Sequence, residues 1–134
     1  MADYDTPQAA EDAYYDAFDE HDIEMMMSVW ADNDEIVCLL PMFPAIKGLP
    51  AIRQAFSQVL NPKGAFEVQI RHLHWIESDD IAVHLVEEQI NTSAAPEQKV
   101  YATNIYQKNA SGSWHMTMHQ NSPVPVPPPS QSSE

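Results

Sequence analysis

Histidines are the side chains of this sequence whose spacing invites a chemical reading. The run His115-Met-Thr-Met-His119 places two of them four residues apart. On a helix that spacing could chelate one metal ion. On a strand the two share a face but stand ~13 Å apart at the strand rise, too far for a single ion. In Arg71-His-Leu-His-Trp75, His72 and His74 would share a strand face about 7 Å apart, and His84 on a partner strand could complete a ligand set. A polar, partly exposed sheet face is the simpler reading, so neither a metal site nor a cofactor is expected. No glycine-rich phosphate loop is present, the chain having only three glycines, and no Ser-His-Asp arrangement is legible. Cys38 is the single cysteine. It cannot form an intrachain disulfide, which fits a reducing compartment, and in an apolar strand it reads as an inert thiol.

The elements that carry these residues follow from caps and periodicity. Thr6-Pro7 starts a helix, a capping hydroxyl followed by proline in the first turn. Ala10, Ala13, Tyr14, Ala17 and Phe18 give it one apolar stripe. Glu20-His-Asp22 breaks it, and Asp22 caps a second, short helix with Ile23, Met26, Met27 and Trp30 as its stripe. Residues 34–41 read as a strand stopped by proline, and 42–48 as a loop. Pro50 opens a third helix on Ile52, Ala55, Phe56, Val59 and Leu60. The period then changes to two. Strands at 65–77 and 81–92 join at Ser78-Asp-Asp80, and strands at 99–108 and 113–121 join around Asn109-Ala-Ser-Gly112.

The order is helix, helix, strand, helix and four antiparallel strands: an α+β fold in which a strongly curved, cone-shaped sheet is covered on one face by three helices. On the last strand Trp114, Met116 and Met118 alternate on one face, and Gln120 continues that count. With the apolar face inward, Gln120 reaches an internal pocket and His119 faces out; a bulge near Gln120 would reverse this. The ending Ser122-Pro-Val-Pro-Val-Pro-Pro-Pro cannot join a central strand, because proline lacks the donor and fixes φ. An extended, mobile tail is expected there.

Composition narrows the partners. The net charge is −14, and residues 1–35 hold twelve of the twenty acidic side chains and none of the six basic ones. Such a surface repels phosphates, so nucleic acid and anionic membrane are not expected partners. No apolar run approaches the roughly 20 residues that cross a bilayer. The first residues, Met-Ala-Asp-Tyr-Asp-Thr, lack the basic and apolar regions of a signal peptide. A cytoplasmic protein is the expectation.

Four pieces of the chain carry a family resemblance: Ala13–Asp22 followed by Met26–Asp34, the strand Ile36–Pro41 leading to Ile46–Phe56, the strand Val100–Trp114, and the ending Met118–Pro123. Over about residues 7–123 the chain resembles the nuclear-transport-factor-2-like (cystatin-like) superfamily, within its SnoaL-like branch. It also resembles the association domain of calcium/calmodulin-dependent protein kinase II and, from Tyr14 to Asp22, ketosteroid isomerase. The resemblance implies one SnoaL-like domain over 1–123 with a proline-rich tail at 124–134. It implies a homodimer built on the outer sheet face and a pocket inside. It implies no reaction, since such folds serve isomerases, cyclases, dehydratases, binding proteins and assembly domains.

Site residues follow from the same resemblance. Asn104 falls where the isomerase carries an acid that bonds its substrate's oxyanion and where the kinase domain has a pocket arginine. Glu88 falls at another pocket position of the kinase domain. Tyr14 falls where the isomerase presents its oxyanion tyrosine, though it also fits the core stripe of the first helix. Trp30 either walls the cavity or packs in the core. The isomerase's general-base carboxylate has no counterpart: Leu40 stands at or beside its position, and leucine cannot move a proton. The resulting expectation is a domain that binds a small, partly apolar organic molecule through Tyr14, Trp30, Glu88, Asn104 and one of His119 or Gln120. Two alternatives stand beside it: an isomerase, cyclase or dehydratase using Glu88 or His119 as acid/base with Asn104 as donor, and an oligomeric assembly domain.

Overall fold

A computed structural model of the chain describes residues 3–41, 43–61, 67–92 and 95–125. Each of the first two helices begins where the sequence supplies a cap. The Thr6 hydroxyl accepts from the Ala9 N–H at 3.0 Å, and α1 runs Pro7–Glu20. It ends at His21, whose left-handed conformation (φ 52°) lets its N–H close the last turn. Asp22 accepts from the Met25 N–H at 3.0 Å and opens α2, Ile23–Val29. The third helix, α3, spans Leu49–Val59. Gly48, at φ 84°, precedes it in a backbone conformation that suits glycine.

Six strands form one curved, unclosed sheet: β1 Val37–Leu39, β2 Ile46–Lys47, β3 Glu67–Glu77, β4 Ile81–Thr92, β5 Ala95–Lys108 and β6 Trp114–Pro123, in the order β2-β1-β6-β5-β4-β3. All neighbours are antiparallel except β1 and β6, which run parallel with Cys38 opposite His119. The two-residue β2 lies in the stretch expected to be only loop. Ser122 and Pro123, expected to lie outside any central strand, end β6 opposite Tyr101 and Val100; the rest of the expected proline-rich tail falls mostly on residues 126–134, outside the described residues.

The helices cover the inner face of this sheet. Ala10, Tyr14, Met26, Val29, Ile52 and Phe56 are fully buried against Ala82, Val86, Ala102, Tyr106 and Met116 from the strands. Tyr14 is the hub of an aromatic cluster, with ring centroids 5.4 Å from Phe18, 6.0 Å from Phe56 and 6.5 Å from Trp30.

Two bulges set which side chains face inward, and both correct the period-two reading. In β3 the register shifts between His72, opposite Val86, and His74, opposite Leu85, so Leu73 is the extra residue. His72 therefore points inward and His74 outward; they do not share a face. In β6 Met116 pairs with Tyr106 but Met118 pairs with Ile105, leaving Thr117 as the extra residue. Trp114 and Met116 face the core before the bulge. After it the phase reverses, so His119 opposite Asn104 is buried while Gln120 is exposed.

Candidate functional site

A cavity of about 180 Å³ lies between α1, α3, the Leu40–Phe43 turn and the sheet. Its walls are mostly apolar, from Phe18, Leu40, Val59, Val68 and Ile90, and its polar side is Glu88, His119 and Asn121 with Tyr14 beside them. A larger groove of about 470 Å³, between Trp30, Asp32, Asp80 and His115, opens elsewhere. The smaller cavity is the stronger candidate, because buried titratable groups converge on its floor.

That floor is a closed hydrogen-bond network. The Tyr15 hydroxyl donates to Glu88 Oε2 at 2.7 Å, and Asn121 Nδ2 donates to Glu88 Oε1 at 2.9 Å. His119 lies between two amides, with Nδ1 2.5 Å from Asn104 Oδ1 and Nε2 2.9 Å from Asn121 Oδ1. Its Nε2 is 3.8 Å from Glu88 Oε2. Asn104 Nδ2 donates both to the Tyr15 hydroxyl at 3.0 Å and to Glu11 Oε2 at 3.1 Å. Burial holds the Tyr14 and Tyr15 hydroxyls well above their usual range, aided by the charge of Glu88, and it pushes the Cys38 thiol up as well. All three are neutral groups here.

Behind Asn104 the network continues into a second buried cluster under α1. Glu11 is fully buried and also accepts from the Tyr106 hydroxyl at 3.0 Å, with His72 Nε2 at 3.0 Å from its other oxygen. His84 stacks on Trp75, centroids 4.1 Å apart, and bonds Glu77 through Nε2 at 2.9 Å. Its Nδ1 stands 3.2 Å from Glu11 Oε2, close enough for an ion pair but off the hydrogen-bond line. Burial opposes ionisation of Glu11, but His84, Asn104 and His72 outweigh it and hold the carboxyl below its usual range. Burial likewise opposes a charge on His84, yet Glu11 and Glu77 raise it above the usual histidine value. Among the described residues no His, Cys, Asp and Glu side chains group in a way that could hold a metal ion.

The Glu11–His84 pair makes stability depend on pH in two directions. Glu11, lowered from 4.5, stabilises the fold above its unfolded value and loses that contribution as pH falls through its folded one. His84, raised from 6.5, stabilises below its unfolded value and loses that contribution as pH rises through its folded one. Urea midpoints should therefore be highest between pH 4.5 and 6.5, and His84→Gln should flatten the decline on the alkaline side. A wild-type midpoint that stays level from about pH 6 to 9 would refute the linkage.

Of the residues singled out from the sequence, Glu88, His119 and Tyr14 line the cavity. The Tyr14 hydroxyl is buried and has no hydrogen-bond partner among the described residues. Asn104 lies one layer behind and touches the cavity only through His119. Trp30 packs against Tyr14 and Phe56 and borders the other groove. Gln120 is on the opposite face. Sequence reasoning missed Tyr15, Asn121 and Glu11 as members of the network. Glu11, Tyr15 and Phe18 repeat at helical spacing beside the apolar stripe, and that was the available signal.

The comparisons with known proteins agree with this fold. The SnoaL-like domain profile matches residues 8–127. A proposed calcium/calmodulin-dependent protein kinase type II association domain from Thiobacillus denitrificans is 31% identical, with a TM-score of 0.83 over 93% of this chain and 100% of that one. A proposed dehydratase of the NTF2-like family from Streptomyces avermitilis is 23% identical, with a TM-score of 0.74 over 89% of this chain and 94% of that one. A ketosteroid isomerase-like protein from Erwinia carotovora atroseptica is 19% identical, with a TM-score of 0.68 over 89% and 94%. The last two likenesses concern the fold alone. No curated protein matches the chain. With its profile match over nearly the whole chain and its three helices on a curved six-stranded sheet, this protein belongs to the SnoaL-like domain family.

Proposed function

We propose that this domain binds a small, partly apolar organic molecule in the cavity above Glu88 and His119. The observation that supports it is the pairing of an apolar wall with a polar floor whose titratable groups are nearly sealed from water, Glu88 at 4% and His119 at 1% exposure. At about 180 Å³ the space is below the roughly 300–1,000 Å³ of drug-sized pockets, which favours a compact ligand. The outer sheet face exposes Leu73, Ile76 and Ile81, and we take it as the surface of a homodimer. Among the described residues no helix is long and apolar enough to cross a membrane. With an acidic surface, this favours a cytoplasmic setting without nucleic acid or membrane partners.

A second reading is an isomerase-, cyclase- or dehydratase-type enzyme with Glu88 and His119 as its acid/base pair and Asn104 behind them. The 3.8 Å separation of the two groups favours it. The likeness to a kinase association domain supports a third reading, an assembly domain.

Native mass spectrometry of the purified chain, followed by denaturation, separates these readings. The expected result is a dimer carrying a small organic adduct that is lost in Val59→Trp, which fills the wall without touching the polar floor. Titration with p-cresol should shift the methyl signals of Leu40, Val59, Val68 and Ile90 in wild type only. A larger, empty ring that binds neither p-cresol nor small ketones and alcohols would favour assembly and sink the binding proposal.

A further inference from the structure

Both nitrogens of the buried His119 ring face oxygen atoms that can only accept a hydrogen bond. On one side, Asn121 directs Nδ2 at the Tyr101 carbonyl oxygen, 3.0 Å away, and at Glu88 Oε1, 2.9 Å away. A backbone carbonyl never donates, so this amide cannot be turned around, and Oδ1 is what remains for His119 Nε2. On the other side, Asn104 directs Nδ2 at the Glu11 carboxylate and at the Tyr15 hydroxyl, whose own proton goes to Glu88. Turning this amide would set its oxygen against a carboxylate oxygen, so Oδ1 is again what faces the ring, here at Nδ1. A neutral imidazole has one N–H. Either tautomer would leave one of these two contacts as a pair of opposed lone pairs at a buried ring.

We propose that His119 is held as the doubly protonated imidazolium, with Asn104 and Asn121 as the residues that position its two protons and Glu11 as the group that locks Asn104. Charge balance in the interior supports this. Tyr14 and Tyr15 from α1 and Cys38 from β1 surround the ring and are neutral. Among the described residues the carboxylate facing it is Glu88 from β4. A buried carboxylate without a cation is costly, and a second buried carboxylate, Glu11, already has His84. His119 is the cation that completes the set.

The consequence for the cavity rests on the binding reading above and assigns its polar groups unlike roles. An imidazolium cannot take up a proton. In the resting protein His119 therefore meets an entering molecule as a cation whose two N–H groups are held by Asn104 and Asn121, and Glu88 is the acceptor.

The test is a long-range ¹H–¹⁵N correlation spectrum of the ¹⁵N-labelled full chain at neutral pH, with the His119 ring identified by its loss in His119→Gln. The expected spectrum has both ring nitrogens protonated. In Asn104→Leu, where no other acceptor among the described residues faces Nδ1, the ring should carry its proton on Nε2 alone. An unprotonated ring nitrogen in the wild type overturns the inference, and so does a ring that stays doubly protonated in Asn104→Leu. Should that variant fail to fold, the wild-type spectrum decides by itself. None of these signals requires a ligand, so an empty cavity would sink the binding proposal and leave this one standing.

Discussion

Glu11→Leu is expected to lower the unfolding free energy by about 3–5 kcal/mol, the cost of removing one partner from a buried charge pair. The leucine would leave His84 without its closest carboxylate and strip the acceptor from Asn104 and Tyr106. Those groups are buried, so water cannot replace what is lost without opening the space under α1. The contrast is Glu24→Ala on α2. Glu24 pairs with Arg53 in plain solvent, where an ion pair adds little or nothing measurable. Urea unfolding of both variants, followed by circular dichroism, checks the pair of expectations. A Glu11→Leu midpoint equal to that of wild type would show that the buried cluster contributes nothing net to stability.

Phe56→Ala should be comparably damaging, at about 3–5 kcal/mol, through lost packing rather than lost charge balance. Phe56 is fully buried, with ring centroids 6.0 Å from Tyr14, 6.0 Å from Phe18 and 6.4 Å from Trp30. Truncation removes the piece of α3 that fills the space between α1 and the Trp30 indole. Partial collapse of that space would place the cost at the lower end of the range. Because Phe56 does not line the cavity, the Glu88–His119 network should survive in the folded fraction. The same denaturation measurement, with an unchanged dependence on urea concentration, would attribute the loss to the native core. A cost under about 1 kcal/mol would mean that the aromatic cluster repacks freely.

What was readable in advance depended on how local its cause was. The caps at Thr6 and Asp22 act within three residues, so the starts of α1 and α2 could be read off directly. Strand β4 keeps its register against β5 from Ile81 to Ile90, so the positions that the resemblance gave for Glu88 and Asn104 both fall on the inner face. The pairing of β1 with β6 joins residues some eighty positions apart and leaves no local mark. The bulges at Leu73 and Thr117 were equally silent. A bulge adds one residue without changing composition, yet it invalidates every later count along its strand. This is why alternation alone sets His72 with His74 and leaves the choice between His119 and Gln120 open. Glu11 was hidden for another reason. It is one of twelve acids in the first 35 residues, and it differs from the rest only through partners 61 to 95 positions away.

The extra residue in β6 amounts to a setting of phase. Histidine and glutamine stand side by side at 119 and 120, and which of them meets the interior depends on whether Thr117 is bulged out of the ladder or paired in it, not on either side chain. The same chain with Thr117 paired in the ladder would turn the imidazole toward the outside and carry an uncharged amide to the floor, where Glu88 would have no cation to answer it. In such a scaffold the chemistry of the hollow can change without a substitution in its lining, according to whether one residue outside that lining is paired or bulged.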